Sequence, residues 1–540
     1  MLHDSGSINR FTPAYGKVGR TIGAMKIAMV SSECEPFAKT GGLADVVDAL
    51  ARALGELGHE VDVYLPRYRG LEPPGPVQRM HLEVPTPGIE GASRTADVDV
   101  LSAPADGYRL RLVDHPGSFD RPNYYGDGGS DYPDNGARFA LLGRAALETI
   151  RAERGGVAIL HGHDWQAGPA VLLRDHVYGS DPVLRGMATM VTCHNLAYHG
   201  WVPRARADAL GLPRTVGKAD GVDLLREEVR EADMVNTVSP TYARESRTPE
   251  YGAGLDDVLR ERGGTYVGIL NGIDPRLWDP ETDEALVERF SSIDLAGKRA
   301  CKQDLAVRLG VNAFPEAGAA TGARRDGEPQ IGWGARGAPL FGLVGRLDPQ
   351  KGFDLLTGAA EALVAAGARM VILGTGDERL IRDLRGLAER WPDRIVILER
   401  FDRDEARRIY AGSDLLLMPS RFEPCGQSQM IAMRYGTVPL VRRTGGLADT
   451  VIDADERPGD GDGFAFGPAD PEALANAARR AVEAYRDETR WAAIVQRATG
   501  RDFGWTASAP RYLAAYERAI AIRARGWPGP VRPGARVPGF

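Results

Sequence analysis

Lys26-Ile27-Ala28-Met29-Val30 followed by Lys39-Thr40-Gly41-Gly42-Leu43-Ala44-Asp45, and Val438-Pro439-Leu440-Val441 followed by Arg443-Thr444-Gly445-Gly446-Leu447-Ala448-Asp449, are one pattern written twice. Each copy is a β-type apolar run, a basic residue and the same hexapeptide. A helical pattern follows the first copy, with Ala44, Val47, Leu50, Ala51 and Leu54 on one face. Strand, paired glycines and helix together bring backbone N–H groups and a helix start close to an anion. Two such turns imply two α/β halves facing one ligand. Taken alone, a Gly-Gly turn is also an ordinary tight connection, and the chain holds 66 glycines in 540 residues, so the rest of the sequence must decide.

A chain of this length forms more than one domain. Hydrophobic residues make up 43% and charged residues 26%, a globular composition. The net charge is −7, and no basic tail or basic helix stands out, which argues against nucleic acid and anionic membrane as partners. Cys34, Cys193, Cys301 and Cys425 are widely spaced, so neither a zinc ribbon nor a disulfide framework is indicated, and a reducing cytoplasm fits. No apolar run approaches the ~18 residues of a membrane span. Residues 1–24 have no apolar core of a secretory signal and read as a flexible extension.

Strand-like runs alternate with helical patterns at 27–31, 61–65, 158–160, 188–192, 234–237 and 268–270. A second series follows at 340–344, 371–373, 395–398, 415–418 and 438–441. Such alternation predicts parallel sheets with helices on both faces. Residues 312–338, rich in Gly, Ala and Arg, read as a surface loop, and 92–108 as added antiparallel strands. A helix is predicted over 510–523, followed from 526 by a proline-rich tail read as disordered.

Ligands of open α/β sheets bind outside the C-terminal strand ends. Four such ends carry polar chemistry. His161-Gly162-His163-Asp164-Trp165 follows one strand; its two histidines lack a third metal ligand at sensible spacing, so a cleft hydrogen bond is the better reading. Cys193-His194-Asn195-Leu196-Ala197-Tyr198-His199-Gly200-Trp201 follows the next, with rings and amides suited to sugar faces, although an ordinary loop is equally compatible. Gly345-Arg346-Leu347-Asp348-Pro349-Gln350-Lys351-Gly352 sets two cations where a helix begins, a diphosphate clamp or a solvated basic turn. Pro419-Ser420-Arg421-Phe422-Glu423-Pro424-Cys425-Gly426-Gln427-Ser428 offers a carboxylate on a shaped turn, with Ser428 placed to cap the next helix. Glu423 there can stabilise a cationic sugar or bond its hydroxyls.

Together these stretches resemble the bacterial glycogen and starch synthases that use ADP-glucose. The matching residues include Lys39 through Asp45, His163-Asp164-Trp165, His194-Asn195-Leu196-Ala197-Tyr198, Leu270-Asn271-Gly272-Ile273-Asp274, Gly345-Arg346-Leu347 with Gln350-Lys351-Gly352, and Pro419 through Asp449. The resemblance covers roughly residues 26–525, with the motifs in the family's order. It implies the GT-B arrangement, two Rossmann-like doubly wound parallel-sheet domains across a deep cleft. An acceptor domain would span 25–272. A nucleotide-sugar domain would span 273–505, and a helix at 506–525 would pack back on the first. The implied reaction is retaining transfer of glucose from ADP-glucose to the non-reducing end of an α-1,4-glucan such as glycogen, without metal or other cofactor.

By the same resemblance, Arg346 and Lys351 neutralise the departing diphosphate and Glu423 supports the glucosyl unit. The backbone from Cys425 and Gly426 through Gln427 and Ser428 holds phosphate. His163, Asn271 and Asp45 bond glucose hydroxyls or order the acceptor face. Lys39 approaches the nucleotide phosphates on domain closure, and Gly41, Gly42, Gln350, Thr444 and Gly445 complete the substrate-binding set. The chain departs from the family at Gln427, often Leu, and at Phe401, where some relatives carry a Tyr that would stack on adenine. A transferase using another nucleotide sugar, and an inactive glucan-binding protein, are the competing readings. The second would require a lost clamp residue, yet Arg346, Lys351, Glu423, His163 and Asp45 are all present.

Overall fold

The run Lys26–Val30 is buried at every position but its first, as a strand with helices on both faces must be. In the computed structural model, which describes residues 23–86, 95–314 and 337–526, it is the centre of the first of two large sheets. It pairs in parallel with Glu60–Pro66 on one side and Ile159–His163 on the other. Across this nine-stranded sheet the strands run Tyr266–Gly268, Met234–Thr237, Ala188–Cys193, Ile159–His163, Lys26–Val30, Glu60–Pro66, Arg109–Asp114, Thr95–Pro104 and Gln78–Pro85. All pairings are parallel except those of the last two strands, which join antiparallel.

The second sheet has six parallel strands in the order Ile395–Leu398, Arg369–Leu373, Leu340–Val344, Leu415–Met418, Val438–Arg442 and Phe464–Phe466. Counted along the chain this is 3-2-1-4-5-6, the dinucleotide-fold order. The order reverses between Leu340–Val344 and Leu415–Met418. In the first sheet it reverses between Lys26–Val30 and Ile159–His163. A crevice opens at each reversal, because successive connections leave toward opposite faces.

The helix after the first glycine pair is Gly42–Glu56, and Ala44, Val47, Leu50, Ala51 and Leu54 are its buried face. The last helix, Trp505–Ala524, begins five residues before the predicted start. Pro510, which favours a first turn, instead lies inside it. Trp505, Ala509, Tyr512, Ala515, Tyr516 and Ala519 pack into the core of the first sheet. The chain therefore crosses between the halves twice, side by side. The Ile273 N–H donates to the Phe503 carbonyl at 2.9 Å, and a Cβ on Gly272 would meet that carbonyl at 3.0 Å.

Two differences from the sequence reading have physical causes. The strand expected at 268–270 lies at Tyr266–Gly268, with the Ile269 N–H carrying the ladder one residue further onto Thr237. Arg109–Asp114 is a strand whose apolar pattern is broken by arginines: Arg109 pairs with Asp62, and buried Arg111 pairs with Glu153 at 2.7 Å. The antiparallel strand expected within 92–108 is present as Thr95–Pro104, paired with Gln78–Pro85 and Arg109–Asp114. Residues 1–22, 315–336 of the long loop, and the tail from 527 lie outside the described residues.

Candidate active site

At the second sheet's reversal, the loop after Leu340–Val344 folds into a tight turn, Pro349–Lys351. Asp348 caps it by accepting from the Lys351 N–H at 3.0 Å. Gly352 follows at φ +68°, and a Cβ there would lie 2.1 Å from the Pro419 carbonyl. Only glycine lets the two loops flanking the reversal touch. That contact places Lys351 Nζ 2.6 Å from Glu423 Oε2, while Ser420 Oγ donates to the same oxygen at 3.1 Å. Glu423 is 4% exposed, so its charge is held by Lys351 rather than by water. Gln350 braces the pair: its carbonyl accepts from the Arg421 N–H at 2.8 Å and its amide donates to the Phe422 carbonyl at 3.4 Å. Arg346 stays more exposed, its guanidinium 3.2 Å from Asp348.

Beyond Glu423 the backbone turns at Gly426, φ +69°, into helix Ser428–Arg434. Ser428 does not cap this helix as expected. Gln427 holds the cap position, and Ser428 is the first helical residue, its Oγ accepting from the Tyr410 hydroxyl at 3.0 Å. Cys425 is buried, and that burial pushes its thiol up to about 12. The Gln427 amide oxygen lies 3.8 Å from where a Cβ on Gly42 would be, so the turn around Gly426 faces the first glycine turn across the cleft. Phe401, in contrast, is 80% exposed beyond the strand Ile395–Leu398.

In the first domain an internal anion already sits in the first glycine turn. The Glu33 carboxylate accepts from the N–H groups of Thr40 and Gly41 at 2.5 and 3.2 Å, and from the Thr40 hydroxyl at 2.6 Å. The Tyr125 hydroxyl donates to it at 2.6 Å. Lys39 reaches Asp45 at 2.5 Å and Glu35 at 3.5 Å. Asp45 borders the crevice with Glu35, Asp48, Gly272 and Gln427, and burial raises its carboxyl.

At the end of Ile159–His163 the two histidines take separate tasks. His161 bonds Thr192 Oγ1 at 2.7 Å and the Tyr516 hydroxyl at 2.9 Å. His163 Nδ1 shares a hydrogen bond with His194 Nε2 at 3.1 Å. Burial pushes His161 and His194 down to about 3 and His163 well below its ordinary value. Asp164, at φ +55°, accepts from the His194 N–H at 2.6 Å, and burial raises its carboxyl to about 7. Among the described residues, His163 Nε2, Gln166 Oε1, both carboxylate oxygens of Glu228 and Asn271 Oδ1 are buried without a hydrogen-bond partner. Buried polar atoms are almost always paired, so His163 Nε2 and Asn271 Oδ1 are free to take a ligand hydroxyl.

The second hexapeptide has a different task from the first. Thr444 and Gly445 meet Glu245 of the first domain, the Gly445 N–H donating at 3.0 Å. The two glycines also press on the loop that carries Glu423. A Cβ on Gly445 would lie 1.9 Å from the Glu423 carbonyl, and one on Gly446 2.0 Å from the Cys425 carbonyl. The Thr444 hydroxyl and the Gly445 N–H, both expected to bind substrate, are thus turned to a protein carboxylate. Sequence reasoning missed Glu33 and Glu245. The glycine pairs were the available signal, since each offers backbone N–H groups to an anion.

The starch synthase catalytic domain model matches residues 26–261, and the group 1 glycosyl transferase model matches 338–484. A glycogen synthase of Anaeromyxobacter dehalogenans (strain 2CP-C) is 44% identical over 499 residues, 91% of this chain and 99% of that protein. A glycogen synthase of Koribacter versatilis (strain Ellin345) is 40% identical over 93% of this chain and 99% of its own length. Among solved structures, the catalytic domain of starch synthase IV from Arabidopsis thaliana, bound to ADP and acarbose, superposes with a TM-score of 0.79. Its identity is 32%, covering 92% of this chain and all of that one. Two Rossmann-like sheets, paired reversal points and matches over about nine-tenths of the chain agree: the chain belongs to the glycogen and starch synthase family of glucosyltransferases.

Proposed function

We propose that this chain transfers glucose from ADP-glucose to the non-reducing end of an α-1,4-glucan with retention of configuration. The single observation that carries the reading is the Lys351–Glu423 pair, 2.6 Å apart at the second sheet's reversal. The relative bound to ADP and acarbose, a nucleotide and an oligosaccharide, supports the choice of ligands.

The donor diphosphate lies against the turn at Gly426 and the start of helix Ser428–Arg434, where backbone N–H groups favour an anion. As the bond from glucose C1 to the phosphate oxygen breaks, charge grows on the diphosphate, and Lys351 and Arg346 stabilise it. Glu423, released from full engagement with Lys351, faces the positive charge developing on the sugar. The acceptor O4 bonds C1 from the same face and gives its proton to the departing phosphate oxygen. His163 and Asn271 take glucose hydroxyls on their unpartnered atoms. Lys39, freed from Asp45, approaches the phosphates from across the cleft. With His163 held neutral by burial, its free nitrogen serves as a hydrogen-bonding atom, not a charge.

The test runs ADP-glucose and UDP-glucose in parallel, each with and without glycogen, and measures nucleoside diphosphate release. Glycogen-dependent ADP release with little UDP release is the expected result. Preference for UDP-glucose would overturn the donor assignment, and release from neither by the folded chain would overturn the transferase reading.

A further inference from the structure

Two short helices meet between the domains and exchange their caps. Helix Pro240–Glu245 belongs to the first domain and helix Gly445–Thr450 to the second. Asp449, near the end of the second, accepts from the Thr241 N–H at 2.9 Å and the Thr241 hydroxyl at 2.6 Å, at the start of the first. Glu245, at the end of the first, accepts from the Gly445 N–H at 3.0 Å and lies 3.2 Å from the Thr444 hydroxyl, at the start of the second. Each helix ends on an acid that satisfies the other's orphan donors. Thr444 is buried, Thr241, Glu245 and Asp449 are half-buried, and burial raises the Glu245 carboxyl.

This contact reaches the site directly. The Gly446 N–H donates to the Glu423 carbonyl at 3.0 Å. The clearances at Gly445 and Gly446 leave no room for a side chain between this helix and the loop from Glu423 to Cys425. A shift of helix Gly445–Thr450 therefore moves the Glu423 backbone with it, since packed interiors transmit displacement.

We propose that Glu245 and Asp449 are positioning residues. They form a reciprocal clasp that fixes the two domains at this edge and, through Gly445 and Gly446, sets the Glu423 carboxylate for transfer. The proposal rests on the reading of Glu423 as the carboxylate of the transfer site. It also assigns the second hexapeptide a role distinct from the first, which keeps its glycines toward the cleft.

The test uses the full chain with Glu245→Gln and Asp449→Asn, alone and in a Glu423→Gln background, followed by labelled glucose incorporated into glycogen. Each single variant is expected to lower kcat at least tenfold with KM for glycogen within twofold. In the Glu423→Gln background, neither is expected to lower kcat further by more than twofold. Should Glu245→Gln fail to fold, Thr241→Val, which removes one hydroxyl from the clasp, carries the same comparison. Wild-type kcat in the single variants, or a loss that multiplies fully with that of Glu423→Gln, would overturn the clasp. Wild-type turnover of Glu423→Gln alone would instead overturn the reading on which it rests.

Discussion

Lys351 and Glu423 meet because Gly352 has no side chain. Replacing Gly352 with Ala puts a Cβ against the Pro419 carbonyl at a positive φ, a strain of about 1–3 kcal/mol. Chemical denaturation should register that loss, together with reduced turnover as Lys351 shifts. Lys351→Ala tests the clamp itself. Removing one donor to developing charge costs ~10²–10³ in kcat, while KM for glycogen should hold; a change in glycogen KM with kcat intact would remove Lys351 from that role. The histidines give a third prediction. Burial depresses His161, His163 and His194, whereas the hydrogen bond that His199 donates to Asp223 raises His199. A depressed imidazole stays neutral as pH falls through its unfolded value near 6.5. In imidazole NMR spectra, His199 should gain its proton above that value on acidification, and the three buried rings should show no titration from pH 8 to 5. A titrating His163 would contradict its neutral role.

At the scale of elements, the last helix is wired to the first sheet through polar atoms as well as packing. Tyr516 donates to or accepts from His161, and His161 continues through Thr192 to Asn236 at 2.6 Å. Tyr516→Phe leaves a buried His161 nitrogen without its partner, which costs about 1–3 kcal/mol. Urea unfolding should show that loss, and an unchanged midpoint would deny the bond its weight. Much of this layer was legible in the sequence. Runs such as 340–344 and 415–418 are apolar and short, and the loops after them are polar, so the strand ends and their chemistry stand out together. Arg109–Asp114 was not legible, because its arginines are neutralised by Asp62 and Glu153 from elsewhere in the chain. The cap of helix Ser428–Arg434 was misplaced by one residue because Gln427 takes the position without using its side chain.

At the scale of the molecule, the doubled hexapeptide announced two domains, and the structure gives its copies unequal work. The first holds Glu33 in its turn beside the cleft; the second meets Glu245 of the other domain and packs on the loop that carries Glu423. Nothing in six identical residues distinguishes them, since the difference lies in partners brought by the fold, Glu33 at seven residues' remove and Glu245 from the other half. The two halves are linked by adjacent crossings near Ile273 and Phe503 and by ion pairs such as Arg52–Asp274 at 2.7 Å and Arg403–Glu35 at 3.2 Å. Rotation at such a hinge moves each half rigidly. Saturating ADP should lower the radius of gyration in small-angle scattering, and an unchanged curve would count against closure. The most direct test of the central claim follows glucosyl transfer to a maltooligosaccharide by proton NMR, comparing the wild-type chain with Glu423→Gln. The account predicts new α-1,4 anomeric signals with ADP release from wild type, and almost none from a folded Glu423→Gln chain that still binds ADP. Transfer by that variant at the wild-type rate would contradict it.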